Sequence, residues 1–103
     1  MLVALSVRRL KPGHYEEFRR AWEPDEFPPP LTRAFHARRL DNPDEVVSYG
    51  LLDVDHDDIE SVRAAIAETA EDGRQAAMAE HVEELLVDAV FEVVEEVVPA
   101  GRT

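Results

Sequence analysis

Residues 33–54 constrain the fold more than any other stretch, because they contain two strand-forming segments joined by a turn. The segments are Ala34–Leu40 and Val46–Val54, and Asn42-Pro43-Asp44 between them has the residue types that favour a tight turn. β-branched and aromatic residues are frequent in the second segment, where they suit a pleated strand. We therefore predict a β-hairpin whose turn spans Asp41–Glu45.

The second arm of this hairpin is apolar on both of its faces. A strand with one face in water usually alternates apolar and polar residues, and this one does not. One face has Val46, Ser48, Gly50, Leu52 and Val54, and the other has Val47, Tyr49 and Leu51. We therefore expect both faces of the sheet to be covered by other protein surface.

The chain before the hairpin predicts a strand, a helix and a stiff loop. Leu2–Arg9 fits a strand, and Pro12 precedes a helix over His14–Trp22, whose apolar stripe is Tyr15, Phe18 and Trp22. The four prolines within Glu23–Leu31 exclude a helix or an inner strand. We expect a loop that covers the core with Phe27, and a lid over a substrate is the alternative.

Two helices and a last strand are predicted after the hairpin. The first helix has a stripe at Ile59, Val62, Ile66 and Ala70. The second is predicted from Arg74 to about Leu86, with inward positions at Met78, His81, Val82 and Leu85. Val87–Val98 is then the last strand, which is long enough to extend beyond its own subunit.

The resulting order, β-α-β-β-α-(α)-β, predicts a single ferredoxin-like α+β domain over residues 1–103. Right-handed crossovers give a four-stranded antiparallel sheet with the helices on one face. The other face would expose Val3, Leu5, Phe35, Val47, Tyr49 and Leu51. A soluble monomer rarely exposes so large an apolar patch, so we predict a homodimer that packs sheet against sheet.

Composition and charge restrict the partners. The 103 residues include 23 acidic and 11 basic ones, for a formal net charge of −12, which disfavours nucleic acid and anionic membranes as partners. Cysteine is absent, which excludes disulfides, thiolate catalysis and cysteine-ligated metals. We find no signal peptide and no membrane-spanning stretch, so the expected location is the cytoplasm.

The chain resembles the dimeric α/β-barrel superfamily, and within it the antibiotic-biosynthesis-monooxygenase-like branch. The resemblance rests on a first strand that leads through Leu10-Lys11-Pro12-Gly13 into a helix, on a hairpin turning at Asp41-Asn42-Pro43, on paired helices and on a closing strand. It implies a ferredoxin-like fold, dimerisation through the sheets and a cavity between helices and sheet. Members include cofactor-independent quinone-forming monooxygenases, haem-degrading enzymes and isomerases.

The functional residues of these members can be compared with this chain. Haem-degrading members have an Asn on the first strand where this chain has Ser6, a haem-ligating His on the last helix comparable to His81, and a Trp where this chain has Glu71. The chain thus matches one of the three positions. Quinone-forming members use Asn, Trp and Tyr, and Trp22 and Tyr49 are the aromatic residues available here.

Small residues on one sheet face predict a ligand cavity. With Asp41 opposite Glu45, the hairpin register pairs His36 with Gly50 and Arg38 with Ser48. Ser6, Ala4, Ser48 and Gly50 then leave room under the helices, with Phe18 and Trp22 as aromatic walls. His36 and His81 are the candidate proton-transfer residues, because histidine exchanges protons near neutral pH. The alternative is that both are core histidines, with His36 filling the space over Gly50.

An acidic stretch after the hairpin contains residue types that bind hard metal ions: Asp53, Asp55, His56, Asp57 and Asp58. Capping of the following helix explains them without a metal, with Asp55 as the N-cap. We therefore expect no metal and no other cofactor. The leading hypothesis is an enzyme acting on a small aromatic or polyketide-like molecule, and the alternatives are a non-catalytic ligand-binding or stress-associated domain and a purely structural module.

Overall fold

The computed structural model describes residues 1–24, 26–27, 29–54, 57, 60–61, 63–64 and 72–101. Within this part the element order is β1 (Leu2–Leu10), α1 (Tyr15–Trp22), β2 (Leu31–Arg39), β3 (Asn42–Leu52), α2 (Asp72–Ala79) and β4 (Val82–Glu92). The strands form one antiparallel sheet in the order β2-β3-β1-β4. The predicted ferredoxin-like α+β fold is confirmed.

Both helices pack on the same face of the sheet. Phe18 of α1 and Met78 of α2 are buried against Leu10 of β1 and Val46 of β3. The predicted stripe on α1 is confirmed, because Phe18 is fully buried and Tyr15 and Trp22 pack beside it. A second small cluster, centred on Leu2 and Leu52, closes the other end of this face.

The segment between β1 and α1 is a tight turn that requires its glycine. The amide of His14 donates to the carbonyl of Lys11 at 3.0 Å, and Gly13 has a φ of 77°. Pro12 and Gly13 therefore occupy the two central positions of a turn in which the second residue has positive φ, a combination typical of a type II turn. The Gly13 amide also donates to Asp44 Oδ1 at 3.1 Å, which ties this turn to the start of β3.

The predicted hairpin exists, but its turn and register differ from the prediction. The chain reverses at Leu40 and Asp41, and His36 pairs with Ser48 rather than with Gly50, which instead faces Ala34. Asn42, Pro43 and Asp44 belong to the start of β3, where the pairing with β2 shifts register between Arg38 and Arg39. Pro43 has no N–H group to donate to a regular β-ladder, so the hydrogen-bonded pairing of β2 with β3 is irregular at this point.

The predicted boundary between the last helix and the last strand is wrong. Helix α2 ends at Ala79, and β4 runs over Val82–Glu92 rather than Val87–Val98. Met78, Val82 and Leu85 fit helical spacing by sequence, yet Val82 and Leu85 pair with Leu10 and Arg8 of β1. The strand ends where its partner ends, since Leu2 pairs with Glu92 and the next amide, Val93, bonds to the Met1 carbonyl.

The opposite face of the sheet is apolar, as predicted. Phe35 and Tyr49 stack on it with ring centroids 4.9 Å apart. Phe35, Val87 and Phe91 are among the large apolar residues that remain exposed. After β4 the chain continues without strand pairing through Val94, Val97 and Val98, which are also exposed.

Two sequence predictions fall on residues outside the described part of the chain. They are the N-cap at Asp55 and the helical stripe Ile59, Val62, Ile66 and Ala70. Among the described residues, no helix is both long and apolar enough to span a membrane.

Candidate functional site

A row of polar side chains crosses all four strands on the face that the helices cover. His36, Ser48, Ser6 and Asp88 occupy directly paired positions on β2, β3, β1 and β4, and we call them the polar row. A 2.8 Å hydrogen bond joins His36 Nδ1 to Ser48 Oγ, and Ser6 Oγ donates to Asp88 Oδ1 at 3.4 Å. The neighbouring paired positions hold three small residues, Ala34, Gly50 and Ala4.

A cavity of about 670 Å³ opens over this part of the sheet. Four of the predicted ligand-binding residues line it: Ser6, Trp22, Ser48 and Gly50. Phe18, the fifth, is not among the lining residues and lies fully buried in the core. The space over Gly50 is occupied by Leu31 rather than by His36, since a Cβ added at Gly50 would come within 2.7 Å of Leu31 Cδ1.

Three aromatic side chains pack around the imidazole ring of His36. Its ring meets the Trp22 ring edge to face at 4.4 Å between centroids, and the Phe18 and Tyr15 rings lie at 6.1 Å and 6.4 Å. Burial lowers the pKa of His36 to about 4, with further contributions from the positive charges of Arg19 and Arg8. The ring is therefore neutral at pH 7, and its buried Nε2 has no hydrogen-bond partner among the described residues.

His81 lies in the turn between α2 and β4, not on the predicted helical stripe. Its Nδ1 is 3.0 Å from His14 Nδ1, and its carbonyl accepts a hydrogen bond from the Lys11 amide. The strand boundary explains this position, because β4 begins one residue later. His36 and His81 thus have different partners, and neither is among the residues that line the cavity.

The sequence reasoning missed three arginines that line the cavity, Arg8, Arg63 and Arg74. The Arg8 guanidinium lies over the Phe18 ring, 5.4 Å from its centroid, and its buried Nη1 has no hydrogen-bond partner among the described residues. Arg74 Nη1 donates to the Trp22 carbonyl at 2.5 Å. Burial lowers the pKa of Arg8 and of Arg74. The alternation of β1 could have indicated Arg8, because it shares a face with Ser6 and Leu10.

Three residues of the acidic stretch after the hairpin, Asp55, His56 and Asp58, lie outside the described residues. Among the described residues, no group of three or more His, Asp and Glu side chains could hold a metal ion.

Solved structures provide a comparison for this arrangement. A protein from Chloroflexus aurantiacus J-10-fl named "putative Antibiotic biosynthesis monooxygenase" superposes with a TM-score of 0.64 at 16% identity, over 95% of this chain and 98% of that one. One of the same name from Nitrosomonas europaea gives 0.65 at 16% identity, over 92% and 100%. The chain has the fold of these proteins.

The likeness to antibiotic-biosynthesis-monooxygenase-like structures agrees with the resemblance found in the sequence. The same fold also occurs in an uncharacterized NIPSNAP domain protein from Burkholderia xenovorans, with a TM-score of 0.55 at 21% identity over 98% of this chain and 96% of that one. No protein-family model and no curated protein matches the chain. At these identities the comparison establishes the fold, and the chemistry must be argued from the residues of the cavity.

Proposed function

We propose that this chain is a monooxygenase-like enzyme that oxidises a small aromatic or polyketide-like molecule in the cavity above the polar row, without metal or flavin. The observation that supports this most is the pairing of a half-buried neutral imidazole, His36, with a serine that faces the cavity, Ser48. The pair offers a route for a proton from a bound molecule to the imidazole.

The size and lining of the cavity suit a flat aromatic molecule. Cavities of about 300–1,000 Å³ with mostly apolar walls and a few polar groups are typical of small-molecule sites. Trp22 forms one wall, and the Phe27 ring lies 5.9 Å from the Trp22 ring at the same side. Ala4 and Gly50 line the cavity beside Ser48, and Leu31, whose side chain lies over Gly50, lines it as well.

The reaction would begin with loss of a proton from an activated CH₂ group of the substrate. Ser48 passes that proton to His36, and the resulting carbanion or enolate reacts with O₂. Overall, one CH₂ and one O₂ become one C=O and one H₂O, so the substrate is the reductant and no external donor is needed. An anion beside Arg8 offsets one of the charges that lower the pKa of His36, so binding itself strengthens the base.

A non-catalytic ligand-binding role is the second candidate, and the same histidine favours it. With a pKa of about 4, free His36 is a weak proton acceptor at neutral pH. If a ligand does not raise that pKa, the cavity would bind without reacting.

The experiment that separates the two roles uses a hydroxylated anthrone, which combines fused aromatic rings with an acidic CH₂. Trp22 is the only tryptophan of the chain and lines the cavity, so its fluorescence reports binding. An oxygen electrode reports turnover. Quenching with oxygen uptake that Ser48→Ala slows at least about tenfold supports the enzyme. Quenching without oxygen uptake supports the binding role, and no quenching excludes both.

We also propose that the exposed sheet face is the interface of a homodimer. The stacked pair Phe35 and Tyr49, together with Val87 and Phe91 of β4, forms an apolar surface opposite the helices. The unpaired segment after β4 adds exposed valines at 94, 97 and 98, which a second copy could bury. Each 100 Å² of apolar surface removed from water contributes about 2.5 kcal/mol before the costs of association.

A further inference from the structure

We infer that the cavity binds uncharged ligands through a carbonyl oxygen, which accepts a hydrogen bond from Arg8. This inference rests on the proposed small-molecule site and names the chemical class of its ligand. It does not depend on whether that ligand is oxidised.

The first argument is that Arg8 has a donor without an acceptor. Its guanidinium lies over the Phe18 ring, and Nη1 is buried with no hydrogen-bond partner among the described residues. A charged N–H group that is removed from water and left without an acceptor is costly. Because the Arg8 side chain also lines the cavity, a small rotation of its planar guanidinium would present Nη1 to an oxygen of a bound molecule.

The second argument is the balance of charge around the cavity. Its described lining includes three arginines and three acidic residues: Arg8, Arg63, Arg74, Glu83, Glu84 and Asp88. Burial lowers the pKa of Arg8 and the charge of Asp88 opposes this effect, so a carboxylate already lies near that guanidinium. Arg74 is engaged separately, through its hydrogen bond to the Trp22 carbonyl. These six side chains carry no net charge together, so they favour an uncharged acceptor for Arg8 over an ionic one.

The third argument is the position of Arg8 relative to the polar row. Arg8 and Ser6 are two residues apart on β1, and Ser6 pairs with Ser48 of β3. Residues two apart along a strand lie on the same face and are separated by about 7 Å. One small molecule can therefore place a carbonyl oxygen at Arg8 and a nearby ring carbon at Ser48, beside the wall that Trp22 forms. The inferred ligand is an aromatic ketone or a related uncharged carbonyl compound.

The test compares three naphthalene derivatives that differ in one substituent. 2-Acetonaphthone has an uncharged carbonyl group, 2-ethylnaphthalene has nearly the same shape without the oxygen, and 2-naphthoate is negatively charged at pH 7. Binding is measured by quenching of Trp22 fluorescence. We expect the ketone to bind about tenfold to a hundredfold more tightly than the hydrocarbon, the range for a hydrogen bond from a charged donor. The ketone should also bind at least as tightly as the carboxylate.

Arg8→Met removes the donor and keeps a long side chain over the Phe18 ring. It should abolish the preference for the ketone and leave binding of 2-ethylnaphthalene unchanged, which also shows that the variant is folded.

Arg38→Met is the matched control. Arg38 pairs with Val46 from β2, as Arg8 does from β1, and its guanidinium lies 5.0 Å from the centroid of the Tyr15 ring. Arg38 is exposed, however, and is not among the residues that line the cavity. Its replacement should leave the preference for the ketone intact.

The comparison on the wild-type protein decides the inference even where a variant does not fold. Equal binding of the ketone and the hydrocarbon, or tighter binding of the carboxylate, overturns the inference and leaves the proposed function untouched. A preference for the ketone that persists in Arg8→Met assigns the oxygen to another donor and overturns it as well. No quenching by any of the three compounds overturns the proposed function too, because the cavity then does not accept flat aromatic molecules.

Discussion

The imidazole of His36 meets the indole of Trp22 edge to face, with their ring centroids 4.4 Å apart. This contact joins β2 to the last residue of α1 and places a titratable ring against a wall of the cavity. Trp22 is also the residue whose carbonyl anchors Arg74. The two residues therefore connect the half-buried imidazole of the polar row to the cavity that Trp22 and Arg74 line.

The first prediction concerns the protonation of His36. Because burial and two nearby arginines lower its pKa, its ring should titrate with a midpoint near 4 in an NMR pH titration of the histidine Cε1–H signals. The signal is assigned with His36→Gln. A midpoint at or above the ordinary value of about 6.5 would contradict the desolvation of this ring between α1 and the sheet.

The second prediction is that the protein loses stability as the pH falls from about 6.5 towards 4. The folded protein holds His36 neutral down to a pKa of about 4, whereas the unfolded chain takes up a proton near pH 6.5. Between these values the unfolded state binds more protons, so the free energy of unfolding rises with pH. The contribution should be of the order of 1 kcal/mol, since the partly open surroundings of the ring screen the effect. Urea denaturation at pH 4.5 and 7 measures it, and His36→Gln should flatten the difference.

Much of the site-bearing face could be predicted from the sequence, and the reason is the two-residue period of a strand. The predicted hairpin register was displaced by two residues, pairing His36 with Gly50 instead of Ser48. A displacement by two keeps every side chain on its face, whereas a displacement by one would have moved them all. His36, Ser48 and Gly50 therefore share the face that was expected, although their neighbours differ.

The position of His81 could not be predicted in the same way. Met78, Val82 and Leu85 satisfy helical spacing, and Val82–Leu86 equally satisfies a strand, so local pattern does not decide between them. The decision comes from β1, whose Leu10 and Arg8 pair with Val82 and Leu85 and so extend the last strand towards the helix. Such a long-range pairing is invisible to a local apolar pattern. Arg8 was missed for a different reason, because arginine side chains are normally assigned to the surface.

The third prediction separates the two serines of the polar row. Ser48 is buried and bonded to His36 at 2.8 Å, whereas Ser6 makes a longer, exposed contact with Asp88. Ser48→Ala removes the partner of His36 Nδ1 and should cost about 1–2 kcal/mol of unfolding free energy. Ser6→Ala should cost less than about 0.5 kcal/mol. Equal losses of unfolding free energy in the two variants, measured by chemical denaturation, would show that the His36–Ser48 hydrogen bond stabilises the protein no more than the Ser6–Asp88 contact does.

The fourth prediction tests the core that supports the cavity. Phe18 is fully buried between α1 and the sheet, so Phe18→Ala should lower the free energy of unfolding by about 3–5 kcal/mol. Phe27 is 44% exposed, so Phe27→Ala should lower it by about 1 kcal/mol or less. Thermal unfolding followed by circular dichroism compares the two. A small loss at Phe18 would mean that α1 does not hold the helix layer on the sheet.

The fifth prediction concerns the sheet face opposite the helices. Phe35 stacks on Tyr49 and is 40% exposed in the isolated chain, an arrangement that favours burial against a second copy. Sedimentation at micromolar concentration should find a dimer, and Phe35→Glu should convert it to monomer, because a charge would be buried without a partner. Leu40→Glu makes the same change of charge at a fully exposed turn residue and should leave the dimer intact. A wild-type protein that sediments as a monomer would exclude the interface, and the apolar surface would then require another cover.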